Sequence, residues 1–218
     1  MRDREKHMKR IIKNDEPAFL GEWIERFRSD NGRDPLYADL REKPEWYQLR
    51  NLLSEEQGWI CCYCMKRIDD STSHIEHFVP RSIRNQYPHS QYAQNVELDY
   101  FNMFMSCEGE NQEKHCGRLK DNHATWMLVS PSEETVEEQF QYYPDGRIEG
   151  SSPKAIKTIE VTGLDTFSLQ RHRRTAIYLA VEKWTPEMSL EQYLQKDANG
   201  MFPPYCHAVL YCLKALLL

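Results

Sequence analysis

The cysteines of this 218-residue chain constrain its fold more than any other feature. Five of the seven cysteines lie between positions 61 and 116. Cys61 and Cys64 are separated by two residues, a spacing that lets two thiolates on one tight knuckle bind a single ion with tetrahedral angles. Cys107 and Cys116, separated by eight residues, form a second and looser pair. We therefore predict a closed structural zinc site with four thiolate ligands.

Alternatives to this ligand set stay open in the sequence. The cysteines could be buried free thiols, and His115 could replace Cys116 as the fourth ligand. Cys62 lies between two ligands and is expected to point away from them, while Cys206 and Cys212 are expected in the apolar core. The N-terminus is charged and lacks an apolar signal segment. We therefore expect a reducing, cytoplasmic compartment, which favours metal ligands over disulfides.

Composition places the chain among ordinary globular proteins. Hydrophobic residues make up 40% and charged residues 28% of the chain, which excludes disorder and coiled coil for the chain as a whole. No run of about 18 apolar residues is present, so no membrane span is expected. The net charge of −6 argues against broad electrostatic binding to nucleic acid, but leaves room for a local basic site.

Apolar periodicity divides the chain into three segments and predicts an α+β fold. Residues 1–58 and 124–218 are the flanking segments, and residues 59–123 form the cysteine-rich centre. The predicted flanking elements are helices over 16–28 and 43–57, a strand over 126–129, a hairpin around Pro144–Asp145–Gly146, and helices over 176–184 and 205–218. The basic run Arg171–Arg174 is interpreted either as a contact for nucleic acid or a partner, or as a solvated helix face.

A second motif lies between the two cysteine pairs, in the sequence HIEHFVPRS. A histidine beside a carboxylate, such as His77 after Glu76, is a plausible general base next to a metal ligand. The Glu-His dipeptide alone is weak evidence for a catalytic site, but its place in a longer order of residues makes the pattern specific. That order is C-x2-C, then E-H-x-x-P, then Asn102, then the second cysteine pair with C-G-x-x-K.

In this order the region 59–123 resembles the HNH endonucleases, the ββα-metal or His-Me finger superfamily. The resemblance implies a small ββα-metal core with a four-cysteine zinc site, wrapped by helices from the flanking segments. The form CCYCMKRI…SHIEHFVPRS…LDYFNMFMSC…HCGRLKDN looks like the PtuB nucleases of Septu-type antiphage systems, some of which are linked to retrons.

The resemblance also implies roles for individual residues. His77 matches the general base that activates water, and Glu76 matches a ligand of a catalytic Mg²⁺ or Mn²⁺ ion. Asn102 matches the asparagine that orients the base through its backbone. Arg81, in the loop after the base, and Lys120 are expected to contact the substrate phosphate.

The last ligand of the catalytic ion departs from the family pattern. Many zinc-bearing members carry Asn or His directly after the final cysteine, where this chain has Gly117. One helical turn onward lies Asp121, which we expect to be the second ligand, with Asn122 and His123 as alternatives. His74 lies on the same strand face as Glu76 and is a further residue within reach of the ion.

The implied function is metal-dependent hydrolysis of phosphodiester bonds in DNA or in RNA such as tRNA, within antiphage defence. The implied cofactors are structural zinc and catalytic magnesium or manganese. The implied partners are a PtuA-like ATPase subunit and, in retron-linked systems, the reverse transcriptase with its non-coding DNA or RNA. The alternative is a catalytically silent zinc scaffold, for which Gly117 and the glutamate at position 76 are the best support.

Overall fold

The computed structural model describes residues 9–82, 96–110, 113–123 and 125–217, in which helices and two small antiparallel sheets are combined. The helices are α1 (Ala18–Asn31), α2 (Tyr37–Leu40), α3 (Pro44–Glu56), α4 (Gly117–Lys120), α5 (Pro153–Thr162), α6 (Phe167–Lys183) and α7 (Cys206–Leu217). The strands are β1 (Ser73–His77), β2 (Met103–Cys107), β3 (Phe140–Tyr142) and β4 (Ile148–Gly150). The predicted α+β class agrees with this mixture of elements.

The N-terminal helices pack their apolar faces toward the centre of the chain. α1 follows the extended residue Pro17, which has no N–H to leave unpaired, and stops at Gly32 with φ 65°. Leu20 of α1 and both Leu49 and Leu53 of α3 are fully buried. Both helices predicted in this segment are confirmed, with boundaries shifted by a few residues.

The central hairpin pairs β1 with β2 in the register Ser73↔Cys107 to His77↔Met103. The outer edge of β2 is covered by the end of α3 and by the cysteine knuckle. The Gln57 amide accepts from Met105 N at 2.7 Å and donates to Met105 O at 3.0 Å. Cys62 N also donates to Met105 O. These bonds pair the backbone N–H and C=O of Met105, which would otherwise be buried at the strand edge without hydrogen-bond partners.

The C-terminal hairpin β3–β4 confirms the turn predicted around Gly146. Arg173 of α6 stabilises this turn, because its Nε donates to Gly146 O at 2.6 Å and its guanidinium lies 5.8 Å from the Tyr142 ring centroid. Arg173 is therefore a buried structural residue, while Arg171 and Arg174 of the same run are exposed. The two interpretations of the basic run thus apply only to its exposed members.

The strand predicted over Trp126–Val129 is wrong. Thr125–Met127 forms a single 3₁₀ turn, in which Leu128 N donates to Thr125 O. Val129 N then donates to Thr158 Oγ1 of α5 at 2.8 Å. The backbone N–H groups of Leu128 and Val129 are therefore bonded within the turn and to a helix side chain, and not to a neighbouring strand. The apolar run in the sequence reflects burial of Val129.

One cluster of buried apolar side chains draws on all three segments of the chain, for example Leu20, Cys64 and Leu213. The predicted apolar helix at the C-terminus is α7, and its residues Cys206 and Cys212 lie in this core as expected. Among the described residues, no helix combines the length and hydropathy needed to cross a bilayer.

Gly146 provides a test of the hairpin. We expect Gly146→Ala to lower the free energy of unfolding by about 3 kcal/mol or more, since a Cβ there would lie 1.9 Å from Gln170 O at φ +91°. The matched control is Gly32→Ala, at φ +65° with no atom within 4 Å, for which we expect about 1 kcal/mol. Urea unfolding measures both, and equal losses would contradict the proposed packing of the turn.

Candidate active site

Four cysteines meet at one end of the central hairpin. The knuckle contributes Cys61 and Cys64, the end of β2 contributes Cys107, and Cys116 directly precedes α4. All four are buried, and their sulfur atoms lie within 4.8 Å of one another. Cys64 Sγ and Cys107 Sγ are 3.7 Å apart. With Zn–S bonds of about 2.3 Å, the edges of a tetrahedral site are about 3.8 Å long, so the cluster fits zinc.

The surroundings of the cluster also suit thiolates. Cys107 N donates to Cys61 Sγ at 3.3 Å. His115 is fully buried, and its Nδ1 lies 3.2 Å from Cys116 Sγ and 3.7 Å from Cys107 Sγ. His115 thus contacts the sulfur atoms from outside the four-cysteine group, and Cys62 is absent from that group as expected.

The thiols have unequal acidities before any ion binds. Hydrogen bonding, first of all with Cys116, lowers the pKa of Cys107 to about 7. Burial, followed by the interaction with Cys107, raises the pKa of both Cys64 and Cys116 well above the usual value. Only part of the cluster is therefore ionised near neutral pH, and binding of a dication would ionise the rest.

Removing one of these thiolates tests the zinc site. We expect Cys61→Ser to lose bound zinc and to unfold or melt at a much lower temperature, because structural zinc binding is coupled to folding. The matched control is Cys212→Ser, since Cys212 is equally buried but lies outside the cluster. Metal analysis and thermal unfolding measure both variants. A Cys61→Ser protein with full zinc content would contradict the assignment.

His77 lies at the opposite end of the hairpin and is 7% exposed. Its Nε2 is 2.9 Å from the carbonyl oxygen of Glu97, and the ring packs edge-on against Tyr37. Because a carbonyl oxygen only accepts, Nε2 carries the hydrogen and Nδ1 carries the lone pair in the neutral ring. Burial lowers the pKa of His77 to about 4. The imidazole is therefore neutral near pH 7, as a general base must be.

Asn102 holds the chain that follows His77. Its Oδ1 accepts from Val79 N at 2.7 Å, and its Nδ2 donates to Val79 O and Val96 O, both at 2.9 Å. Asn102 O also accepts from Phe78 N. The buried amide is thus fully bonded to the backbone around the histidine, the location in which the resemblance places the orienting asparagine.

Glu76 is buried beside a lysine rather than exposed to solvent. Lys120 Nζ lies 2.8 Å from Glu76 Oε1, and the Tyr63 hydroxyl donates to the same oxygen at 3.2 Å. Burial alone would raise the pKa of Glu76, but interactions with His74 and Lys120 outweigh it and lower the pKa below its usual value. The carboxylate is therefore charged at neutral pH, with Oε1 engaged by the protein.

Lys120 corrects one expectation from the sequence. Its side chain is fully buried, and its ammonium bonds to Glu76 and to the carbonyl oxygen of His77. The lysine expected to contact substrate phosphate is thus an internal partner of the carboxylate. The physical reason is that the pair Glu76–Lys120 neutralises two charges which neither residue could bury alone.

Asp121, the expected second ligand of the ion, follows Gly117 by one helical turn, and its N–H donates to Gly117 O at 3.0 Å. It lies just beyond the end of α4 at Lys120 and is exposed, with φ 45°. It still lines the pocket that contains His77 and Glu76. Among the described residues, however, Asp121 joins no group of three metal-ligand atoms within 4.8 Å of one another.

The pocket around His77 is open and lined by arginines. Its lining residues include Arg81, Arg118 and Asn122 from the motif region, together with Tyr37, Arg41 and Trp46 from the N-terminal segment. The Arg81 guanidinium lies 4.8 Å from the Tyr37 ring centroid. The wall made by α2 and α3 is not evident from the sequence, because only the packing of these helices against the hairpin brings their side chains to the histidine.

The tautomer and acidity of His77 can be measured directly. In the zinc-loaded protein without other divalent ions, we expect ring ¹⁵N shifts at pH 7 to show a protonated Nε2 and a bare Nδ1. We expect protonation with a midpoint near pH 4, because burial disfavours the cation. Folding stability linked to this group is therefore complete above about pH 6.5 and is lost as the pH falls toward 4. A midpoint near 6.5 would contradict the buried geometry.

Comparison with known proteins supplies one relative. No protein-family model matches the chain. The chain is 29% identical over 140 residues to a Vibrio cholerae serotype O1 biovar El Tor protein named "Retron Vc95 putative HNH endonuclease". The match covers 59% of this chain and 63% of that protein, so the chain spans less than two thirds of the relative's length. The name of this relative agrees with the family resemblance of the motif region.

Proposed function

We propose that the chain is an HNH endonuclease that hydrolyses phosphodiester bonds of DNA or RNA with the help of a divalent ion bound at Glu76. The observation that carries the proposal is the state of His77, whose Nε2 is held by a backbone carbonyl in an open pocket beside a buried carboxylate. A histidine with only a structural role does not require a neighbouring carboxylate such as Glu76 or a pocket lined by arginines.

The residues of the pocket have distinct tasks in this reaction. His77 Nδ1 accepts a proton from the attacking water, and Asn102 keeps the imidazole in place by fixing the backbone that follows it. A divalent ion at Glu76 would supply electrostatic stabilisation of the charge that develops on the phosphate. Carboxylate and water oxygens suit Mg²⁺ or Mn²⁺, whereas the thiolate cage suits zinc.

A nucleic acid is the substrate class that the walls of the pocket favour. Arg41 from the N-terminal helices, Arg81 from the loop after β1 and Arg118 from α4 all line the pocket. Guanidinium groups bind phosphate oxygens in a fixed fork geometry. The chain has a net charge of −6, so these arginines form a local positive site on an acidic protein. This charge distribution supports phosphate binding at the site rather than over the whole surface.

We further propose that the nuclease acts in antiphage defence with a PtuA-like ATPase, and in a retron-linked system with the reverse transcriptase and its non-coding DNA or RNA. Two facts support this context. The relative from Vibrio cholerae is named as a retron protein. The acidic chain is also poorly suited to finding nucleic acid alone, so a partner that delivers the substrate fits its charge.

A cleavage assay tests the proposal. We expect wild-type protein with Mn²⁺ to cut plasmid DNA, single-stranded DNA or total tRNA, and His77→Ala to cut at least about 10²-fold more slowly, the scale of a lost general base. The control is His172→Ala, since His172 faces Glu110 and lies outside the pocket.

Each protein is assayed alone and with a PtuA-like ATPase, and zinc content and melting temperature are compared in parallel. Cleavage that is unchanged in a folded His77→Ala variant would remove His77 from the mechanism. If wild type fails to cut every polymer even with the ATPase, the zinc-scaffold function replaces the nuclease.

A further inference from the structure

The absence of a side chain at Gly117 leaves a space into which two metal-ligating groups converge. A Cβ atom at position 117 would lie 2.6 Å from Glu76 Oε2 and 2.8 Å from His74 Nε2, and 3.0 Å from Ser106 Oγ. Glu76 and His74 project from the same face of β1, two residues apart. The space next to Gly117 is therefore occupied by the functional ends of these two side chains.

His74 is held so that its Nε2 is the free donor atom. Its Nδ1 lies 3.1 Å from Glu108 Oε1, and the other carboxylate oxygen of Glu108 is bound by Arg118. Since a carboxylate only accepts, Nδ1 carries the hydrogen and Nε2 of the neutral ring carries the lone pair. A carboxylate that fixes the far nitrogen of a histidine is the usual support of a histidine that binds a metal ion.

The separation of the two donors fits a shared ion. His74 Nε2 and Glu76 Oε2 are 3.8 Å apart. Two donors about 2.1 Å from one ion lie between about 3.0 Å apart at a right angle and about 4.2 Å apart when opposite. Lys120 occupies Glu76 Oε1, which leaves Oε2 as the oxygen to bind an ion.

His74 meets the geometric requirement better than the aspartate expected from the sequence. Asp121 is exposed beyond the end of α4, and within the described residues it does not complete a three-membered ligand group with Glu76 and His74. We propose that His74 is the second protein ligand of the divalent ion, replacing a side chain at position 117, and that Glu108 is its positioning residue. This assignment rests on the proposed function for its chemistry.

Electron paramagnetic resonance on Mn²⁺ tests the ligand without relying on cleavage. The full-length protein is loaded with zinc, labelled with ¹⁵N-histidine and titrated with Mn²⁺, while thiolates hold the diamagnetic zinc. We expect pulsed spectra of wild type to show one histidine ¹⁵N coupling, which persists in His77→Ala and is absent in His74→Ala. Coupling that persists in His74→Ala, or that disappears only in His77→Ala, would overturn the assignment.

A second pair of variants tests the role of Glu108 without removing the ligand. We expect Glu108→Gln to weaken Mn²⁺ binding at least about 10-fold, the usual cost of losing a residue that supports a metal ligand. The matched control is Glu110→Gln, because Glu110 lies two residues away and contacts Lys66 and His172 instead of His74. We expect its Mn²⁺ affinity to equal that of wild type. Equal affinities for all three proteins would overturn the positioning role.

The two proposals fail in different ways. A His74-dependent ¹⁵N coupling in a protein that cuts no nucleic acid would uphold the ligand and refute the nuclease. Cleavage that depends on His77, together with coupling that is independent of His74, would uphold the nuclease and refute the ligand. Zinc content and melting temperature verify in each case that the variants are folded.

Discussion

The antiparallel pairing of β1 with β2 is the constraint on which the rest of the site depends. Its register places Ser73 opposite Cys107 at one end and His77 opposite Met103 at the other. At about 3.4 Å per residue, the thiolate cluster and the histidine are thus held about 14 Å apart along the strands. The cysteines hold the end of β2, and Asn102 holds its beginning. Because β1 pairs with β2, both anchors determine where the side chains of β1 lie.

A line of charged groups crosses this hairpin, from the exposed Arg118 to the buried Lys120. Arg118 binds Glu108, Glu108 binds His74, and Glu76 lies between His74 and Lys120. A buried ion pair such as Glu76–Lys120 adds little net stability compared with apolar residues of similar size, but loss of one member is costly. The role of these ion pairs is therefore best explained as orienting the donor atoms of Glu76 and His74. These pairs leave one oxygen and one ring nitrogen directed at the space beside Gly117.

The terminal helices and the hairpin at Gly146 follow from periodicity and turn chemistry. The cysteine cluster follows from ligand chemistry, although its two pairs lie more than 40 positions apart in the chain. The errors concern placements that the sequence pattern does not determine. Lys120 is buried only because Glu76, 44 positions earlier in the numbering, neutralises it. Asp121 lines the pocket but is exposed, since α4 ends after one turn between two residues of positive φ.

Anomalous diffraction from one crystal soaked with Zn²⁺ and Mn²⁺ would show whether one hairpin supports two chemically distinct metal sites. We expect a zinc peak at the centre of the four sulfur atoms and a separate manganese peak bonded to Glu76 Oε2 and His74 Nε2. A single shared site, or a manganese peak at Asp121 with His74 unligated, would contradict this expectation.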